Sequence, residues 1–148
     1  MKDKLKEDLK ESMLARDELR TSVLRLLLSA INYYEIQKGG AGYSATDEDV
    51  ISVIQKEVKQ RKDSIEQFKN AQRQELVEKE EKEMAILNKY LPEQMGEEEI
   101  AKIVKATISE TGVSSMQEMG KLMGALMPKV KGKADGNLVS QIVRKELS

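Results

Sequence analysis

Residues 119–147 read Met119-Gly-Lys-Leu-Met-Gly-Ala-Leu-Met-Pro-Lys-Val-Lys-Gly-Lys-Ala-Asp-Gly-Asn-Leu-Val-Ser-Gln-Ile-Val-Arg-Lys-Glu-Leu147. Leu122 and Leu126, then Leu138, Val139, Ile142, Val143 and Leu147, recur at three- and four-residue steps, the period of one helix face. The stretch is therefore read as two short amphipathic helices around a loop carrying Lys129, Lys131 and Lys133. Pro128 is expected to end the first helix and Asp135 to cap the second. Met116, Met119, Met123 and Met127 share a face and are expected to fill the core with the two leucines. Gly120 and Gly124, four apart, read as sites of close helix packing, and Gly136 as close packing or an unobstructed approach to the backbone.

Working outward, Glu97 to Glu110 reads as a helix with three glutamates against the positive end of its dipole and a stop at Gly112. Ser114 with Gln117, or Ser115 with Glu118, offers a capping box for the helix that follows. Pro92-Glu-Gln-Met-Gly96 reads as a linker. On its amino-terminal side, Leu5, Leu9, Met13 and Leu14 mark a short helix that breaks near Ala15 to Asp17. Leu19 to Gln37 is apolar at Val23, Leu24, Leu26, Leu27, Leu28, Ile31 and Tyr34, too many for a narrow stripe, so this helix should be central. The run Lys38-Gly-Gly-Ala-Gly-Tyr-Ser44 predicts a left-handed cap and a mobile loop. Thr46 and Asp49 form a capping-box pattern ahead of a helix of about six turns carrying Val50, Ile51, Ile54, Val58, Ile65 and Phe68. A return arm is expected from about Glu75 to Lys89, with Leu76, Met84, Leu87 and Tyr90 inward. No strand pattern and no internal repeat occurs. The expected fold is all-α: an N-terminal helical domain over residues 1–92 with a long α-hairpin, and a small C-terminal three-helix module over 97–148.

The carboxyl-terminal run closely resembles the terminal module of the GatB/YqeY family, and the resemblance extends from near the first helix to the chain's end. It implies relation to the B subunit of tRNA-dependent amidotransferases, where this module contacts tRNA, or to small free-standing proteins that carry it. The associated activity is carbon-nitrogen ligation with glutamine as amido-nitrogen donor. That chemistry belongs to domains other than this module. The family pattern also places a glycine just before the arginine of the hairpin turn, where this chain has Ala71-Gln72-Arg73, so a blunter hairpin or a different turn is expected.

Composition removes several functions. The 148 residues contain no cysteine and no histidine, which excludes disulfides, thiolate zinc sites, the usual general base and the commonest metal ligand. A chain of this length buries about 70% of its unfolded surface when compact, enough for a core. Aromatic residues are 3% of the chain, a poor supply for stacking single-stranded bases. Gly120-Lys121 and Gly132-Lys133 lack the earlier glycine of a phosphate-binding loop, and Gly40 and Gly42 lack the third glycine of a dinucleotide fingerprint. The acidic run Glu78 to Glu83 reads as a solvated face. No catalytic residue, metal site or cofactor is indicated. The charged amino terminus lacks the apolar stretch of a signal peptide and no segment is apolar enough to span a bilayer, so a cytoplasmic location without membrane association is expected.

Charge is unevenly distributed. Residues 1–99 hold 17 Lys/Arg against 22 Asp/Glu, or −5, and residues 100–148 hold 8 against 4, or +4. The candidate RNA-binding residues are Lys121, Lys129, Lys131, Lys133, Arg144 and Lys145, with Asp135 the only acid between 121 and 145. Phosphate oxygens are their natural counterpart, placed on the lysine loop because the Asp135 carboxylate already occupies the helix tip. Two readings follow: an accessory protein that binds tRNA or another structured RNA, and a protein-interaction module that docks on an amidotransferase, a synthetase or another enzyme.

Overall fold

A left-handed residue that is not glycine makes the first corner. In the computed structural model, which describes residues 1–148, helix α1 (Lys2–Leu14) ends at Ala15, and Arg16 takes φ 57°. The Arg16 amide donates to the Met13 carbonyl at 3.2 Å and the Asp17 amide to the Ser12 carbonyl at 2.9 Å. This is the paired bonding of a Schellman cap, with arginine in the position usually given to glycine. Asp17 then caps α2 (Glu18–Gly39) by accepting from the Arg20 amide at 3.1 Å.

The chain forms two compact units, Met1–Leu91 and Pro92–Ser148. In the first, α2 packs against α1, against α3 (Asp47–Asn70) and against α4 (Gln74–Asn88), and α3 and α4 lie along each other as the hairpin. Its core is Leu5, Val23, Leu24, Leu27, Ile31, Val50, Val53, Ile54, Val58 and Leu87. Two expectations need correction here. Leu26 is 57% exposed, so the broad apolar surface of α2 is only partly core. Val77, not Leu76, is the fully buried residue at the start of the return arm.

The hairpin turn repeats the first corner. The Gln72 amide donates to Lys69 at 3.1 Å and the Arg73 amide to Phe68 at 2.8 Å, with Gln72 at φ 58°. Glutamine thus adopts the backbone that glycine would supply, and the helices meet in an ordinary Schellman turn rather than a blunted one.

The glycine-rich segment is strapped down, contrary to the expectation of a mobile loop. The capping box forms, with the Asp49 amide on Thr46 Oγ1 at 3.2 Å and the Thr46 amide on Asp49 Oδ2 at 3.1 Å. Asp49 also accepts from Tyr34 Oη at 3.0 Å, from Lys38 Nζ at 2.9 Å and from the Tyr43 hydroxyl. Lys38 lies over both rings, 5.6 Å from Tyr34 and 5.3 Å from Tyr43. Glu35 accepts from the Ala45 amide at 2.7 Å and from Lys2. A β-carbon at Gly39 would stand 2.7 Å from that of Tyr43, so only glycine permits the approach. The Tyr43 and Lys38 hydrogen bonds hold the Asp49 carboxyl far below the usual carboxylate range, and Asp49 in turn raises Lys38.

In the second unit, α5 (Glu97–Thr111) stops at Gly112, φ 71°, and packs on both α6 (Met119–Val130) and α7 (Gly136–Leu147). Ile100, Val104, Val113, Leu122, Leu126, Val130, Ala134, Val139 and Val143 form its core. Neither predicted serine capping box forms; a 3₁₀ turn over Met116–Glu118 leads into α6 instead. Pro128 lies inside α6, which continues to Val130 because the Lys131 amide still reaches the Met127 carbonyl at 2.9 Å. Pro92 to Gly96 is no free linker within this unit: the Met95 amide donates to the Lys133 carbonyl at 2.8 Å and Gln94 Nε2 to the Gly132 carbonyl at 3.0 Å.

Candidate nucleic-acid interface

The six cations named from sequence do not form one cluster. Lys129 sits in the last turn of α6, where its ammonium pairs with Glu110 at 2.8 Å and donates to Thr107 Oγ1 at 3.1 Å, both on α5. Because Pro128 fails to end the helix, helical geometry aims Lys129 at α5 and away from the loop. Lys131 and Lys133 remain in the true loop, residues 131–135, whose backbone is fixed by Gly132 at φ 79° and by the bonds from Gln94 and Met95. Arg144 and Lys145 share the solvent face of α7 with Asn137 and Gln141, a face without an acid. Lys121 is exposed on α6. Lys121, Lys133, Arg144 and Lys145 make no ion pair.

Asp135 caps α7 as expected, accepting from the Asn137 amide at 3.1 Å. Its carboxylate occupies the positive end of that helix, so an incoming phosphate must be held by the ammonium groups of the loop.

The charge asymmetry shrinks once the unit's own boundary is used. From Pro92 to Ser148 there are eight Lys/Arg and eight Asp/Glu, a net charge of zero, because Glu93, Glu97, Glu98 and Glu99 fall inside it. The three glutamates of the first turn of α5 complement its dipole. What survives is local in sequence: from 121 to 145 six Lys/Arg stand against Asp135 alone, while Glu93, Glu97, Glu98 and Glu99 fall at the start of the unit.

Gly120 and Gly124 depart furthest from expectation, while Gly136 fits the unobstructed approach that was one of its two readings. A β-carbon added at Gly120, Gly124 or Gly136 meets nothing within 4 Å, and none of the three has a positive φ. Close helix packing is therefore not their role. Gly120 and Gly124 lie exposed on α6 with Met127, 36% exposed, and Met116 in the preceding 3₁₀ turn is 43% exposed, while Met119 and Met123 alone of the four methionines pack on the core. Glycine in a helix costs about 0.5–1 kcal/mol relative to alanine. A bare backbone strip here brings no packing in return within the chain.

Residues 2–147 match the family model described as Yqey-like protein. The chain belongs to this family. Among its relatives is a protein of Pyrenophora tritici-repentis named altered inheritance of mitochondria protein 41, mitochondrial, 33% identical over 145 residues, covering 95% of this chain and 77% of the relative. The protein of the same name in Kluyveromyces lactis is 39% identical over 132 residues, covering 84% and 70%. That of Saccharomyces cerevisiae strain S288c is 42% identical over 87 residues, covering 59% of this chain and 46% of the relative. The YqeY-like match spans both units, so the hairpin and the three-helix module belong to one family architecture. No helix is long and apolar enough to cross a membrane.

Proposed function

We infer that this YqeY-like protein is a non-catalytic accessory factor that binds tRNA or another structured RNA through the outer surface of α6, the 131–135 loop and α7. The supporting observation is the set Lys121, Lys133, Arg144 and Lys145, exposed and outside any ion pair, in the same stretch of α6, loop and α7 whose backbone is left bare at Gly120, Gly124 and Gly136. Ammonium and guanidinium groups neutralise phosphates, and a strip without side chains lets a sugar-phosphate backbone come close. The second unit has no aromatic residue, which favours recognition of a folded backbone over stacking of single-stranded bases. Such a role requires a compartment that holds tRNA, and both the cytoplasm and the mitochondrial interior meet that condition. The test is tRNA binding followed against salt: four phosphate contacts give a slope of log K on log salt of about −3. Replacing Lys131 and Lys133 by Glu should abolish retention with helical content unchanged.

One observation favours a protein partner as the second reading. Met116 and Met127 flank the same glycine strip, and flexible thioethers suit an adaptable docking face. Binding through that apolar strip would be nearly indifferent to salt, which separates the two readings in one titration.

A further inference from the structure

A second cluster of charged groups lies in the first unit, on elements that carry none of the candidate RNA-binding residues. α1, the beginning of α2 and the end of α4 converge on an open cavity of about 440 Å³, lined by Met1, Lys4, Asp8, Arg20, Lys89 and Tyr90. Asp8 is buried at its base and accepts from Tyr90 Oη at 2.5 Å and from Lys4 Nζ at 3.0 Å, with Arg20 Nη2 at 3.8 Å. The Tyr90 hydroxyl bridges 82 positions of sequence to reach it.

The arrangement holds cations toward a space. Burial alone would push the Asp8 carboxyl up, but the Tyr90 and Lys4 hydrogen bonds and the Arg20 charge outweigh it and keep it ionised. Asp8 thus holds Lys4 and attracts Arg20 without neutralising the wall: with the Met1 ammonium paired to Asp47, the lining side chains are three cations, Lys4, Arg20 and Lys89, and one carboxylate, an excess of two positive charges. Lys89 has no acidic partner at all. Glu7 and Glu11 lie near Lys4 along α1, Glu11 also near Arg20, and neither lines the cavity. An excess of two matches the charge of a phosphate monoester above its second ionisation, near pH 6. Arg20, whose guanidinium lies 3.8 Å from the Asp8 carboxylate, keeps its fork of donors for a tetrahedral oxyanion. The cavity volume falls within the range of small-molecule sites and exceeds what a bare ion fills, and the Tyr90 ring and the Met1 side chain give it an apolar wall.

We propose that the cavity bounded by Lys4, Arg20, Lys89 and Tyr90 is a binding site for a small organic phosphomonoester, its phosphate held by the three cations and its organic body against Tyr90. Nothing in the RNA-binding reading assigns it, since all its residues belong to Met1–Leu91.

The test is a titration of the ¹⁵N-labelled full chain with phenyl phosphate and, separately, with inorganic phosphate, read as amide shifts at constant ionic strength. The expected result is a saturable shift confined to residues around 4, 8, 20, 89 and 90, with phenyl phosphate the tighter ligand. Lys4→Gln with Lys89→Gln should weaken it by about tenfold or more. These two side chains are exposed, so the fold should survive. Lys131→Glu with Lys133→Glu should leave it unchanged, which separates the site from the RNA surface. Shifts that do not saturate, that spread over lysines of both units, or that persist in the double glutamine variant would overturn the site. Equal affinity for the two ligands would overturn the organic body.

Discussion

Replacing Gly120 and Gly124 by alanine together should stabilise the second unit, which is the reverse of what a close-packing role would give. Both positions are helical, neither has a left-handed φ, and an added β-carbon meets nothing within 4 Å at either. The gain then comes from the unfolded chain, whose backbone freedom alanine reduces, and from helix propensity. Gly124 lies in the middle of α6 and should contribute close to 1 kcal/mol; Gly120, the second residue of the helix, should contribute a few tenths. At a denaturant dependence of about 1 kcal/mol per molar urea, the unit's midpoint should rise by roughly 1 M. The assay has a built-in control. All four tyrosines, Tyr33, Tyr34, Tyr43 and Tyr90, lie in Met1–Leu91, so tyrosine fluorescence follows the first unit while far-ultraviolet dichroism follows both. The dichroism transition should move and the fluorescence transition should stay. An unchanged or lowered midpoint would show that the strip is covered in the free protein, and the claim of a bare face would fall.

Other consequences are as direct. Gln72→Gly should stabilise the hairpin by about 0.5–1 kcal/mol, the left-handed cost of a side chain less the entropy glycine adds to the unfolded state, checked by urea unfolding of the full chain. Arg61 is 8% exposed, with Nη1 on Glu57 at 3.0 Å and Nε 3.4 Å from the buried Glu83. Arg61→Ala should therefore cost about 3 kcal/mol by leaving Glu83 unpaired, whereas Arg61→Met with Glu83→Leu should restore most of it. Stability should fall with acid below about pH 4, because Asp49 has a folded value depressed below its ordinary 3.8 and loses its contribution as pH drops through that folded value. It should fall again with alkali above about pH 10.5, where Lys38, raised in the folded state, is neutralised first in the unfolded chain. Asp49→Asn should flatten the acid limb in thermal melts recorded from pH 2 to 7.

Helix positions were legible because apolar spacing is a local signal: Leu122 and Leu126, and Val139 and Val143, sit where period 3.6 puts them, all buried. The capping box at Thr46 and the stop at Gly112 were legible for the same reason. The breaks near Ala15 to Asp17 and at Ala71-Gln72-Arg73 were legible in position but not in geometry, since Arg16 and Gln72 take a left-handed backbone that no residue-type signal announces. The strap on the glycine segment went unseen because Asp49 collects donors from Tyr34, Lys38 and Tyr43, whose convergence depends on how α2 meets α3. Lysine alternation suggested three ammonium groups in one loop, but continuation of α6 through Pro128 rotates Lys129 onto Glu110. Spacing could not distinguish glycines that pack from glycines that leave a surface bare, because that difference lies in what stands opposite them. The Asp8 and Tyr90 contact, between residues at opposite ends of the first unit's sequence, has no sequence signature at all.

Fluorescence anisotropy of labelled tRNA, titrated with the full chain from about 50 to 200 mM salt, tests the central claim most directly. The account predicts affinity that falls steeply with salt, a shallower slope for Lys133→Glu, and no change for Lys129→Ala, whose ammonium is already taken by Glu110. Salt-independent binding, no binding, or a Lys129→Ala variant that loses as much as Lys133→Glu would contradict it.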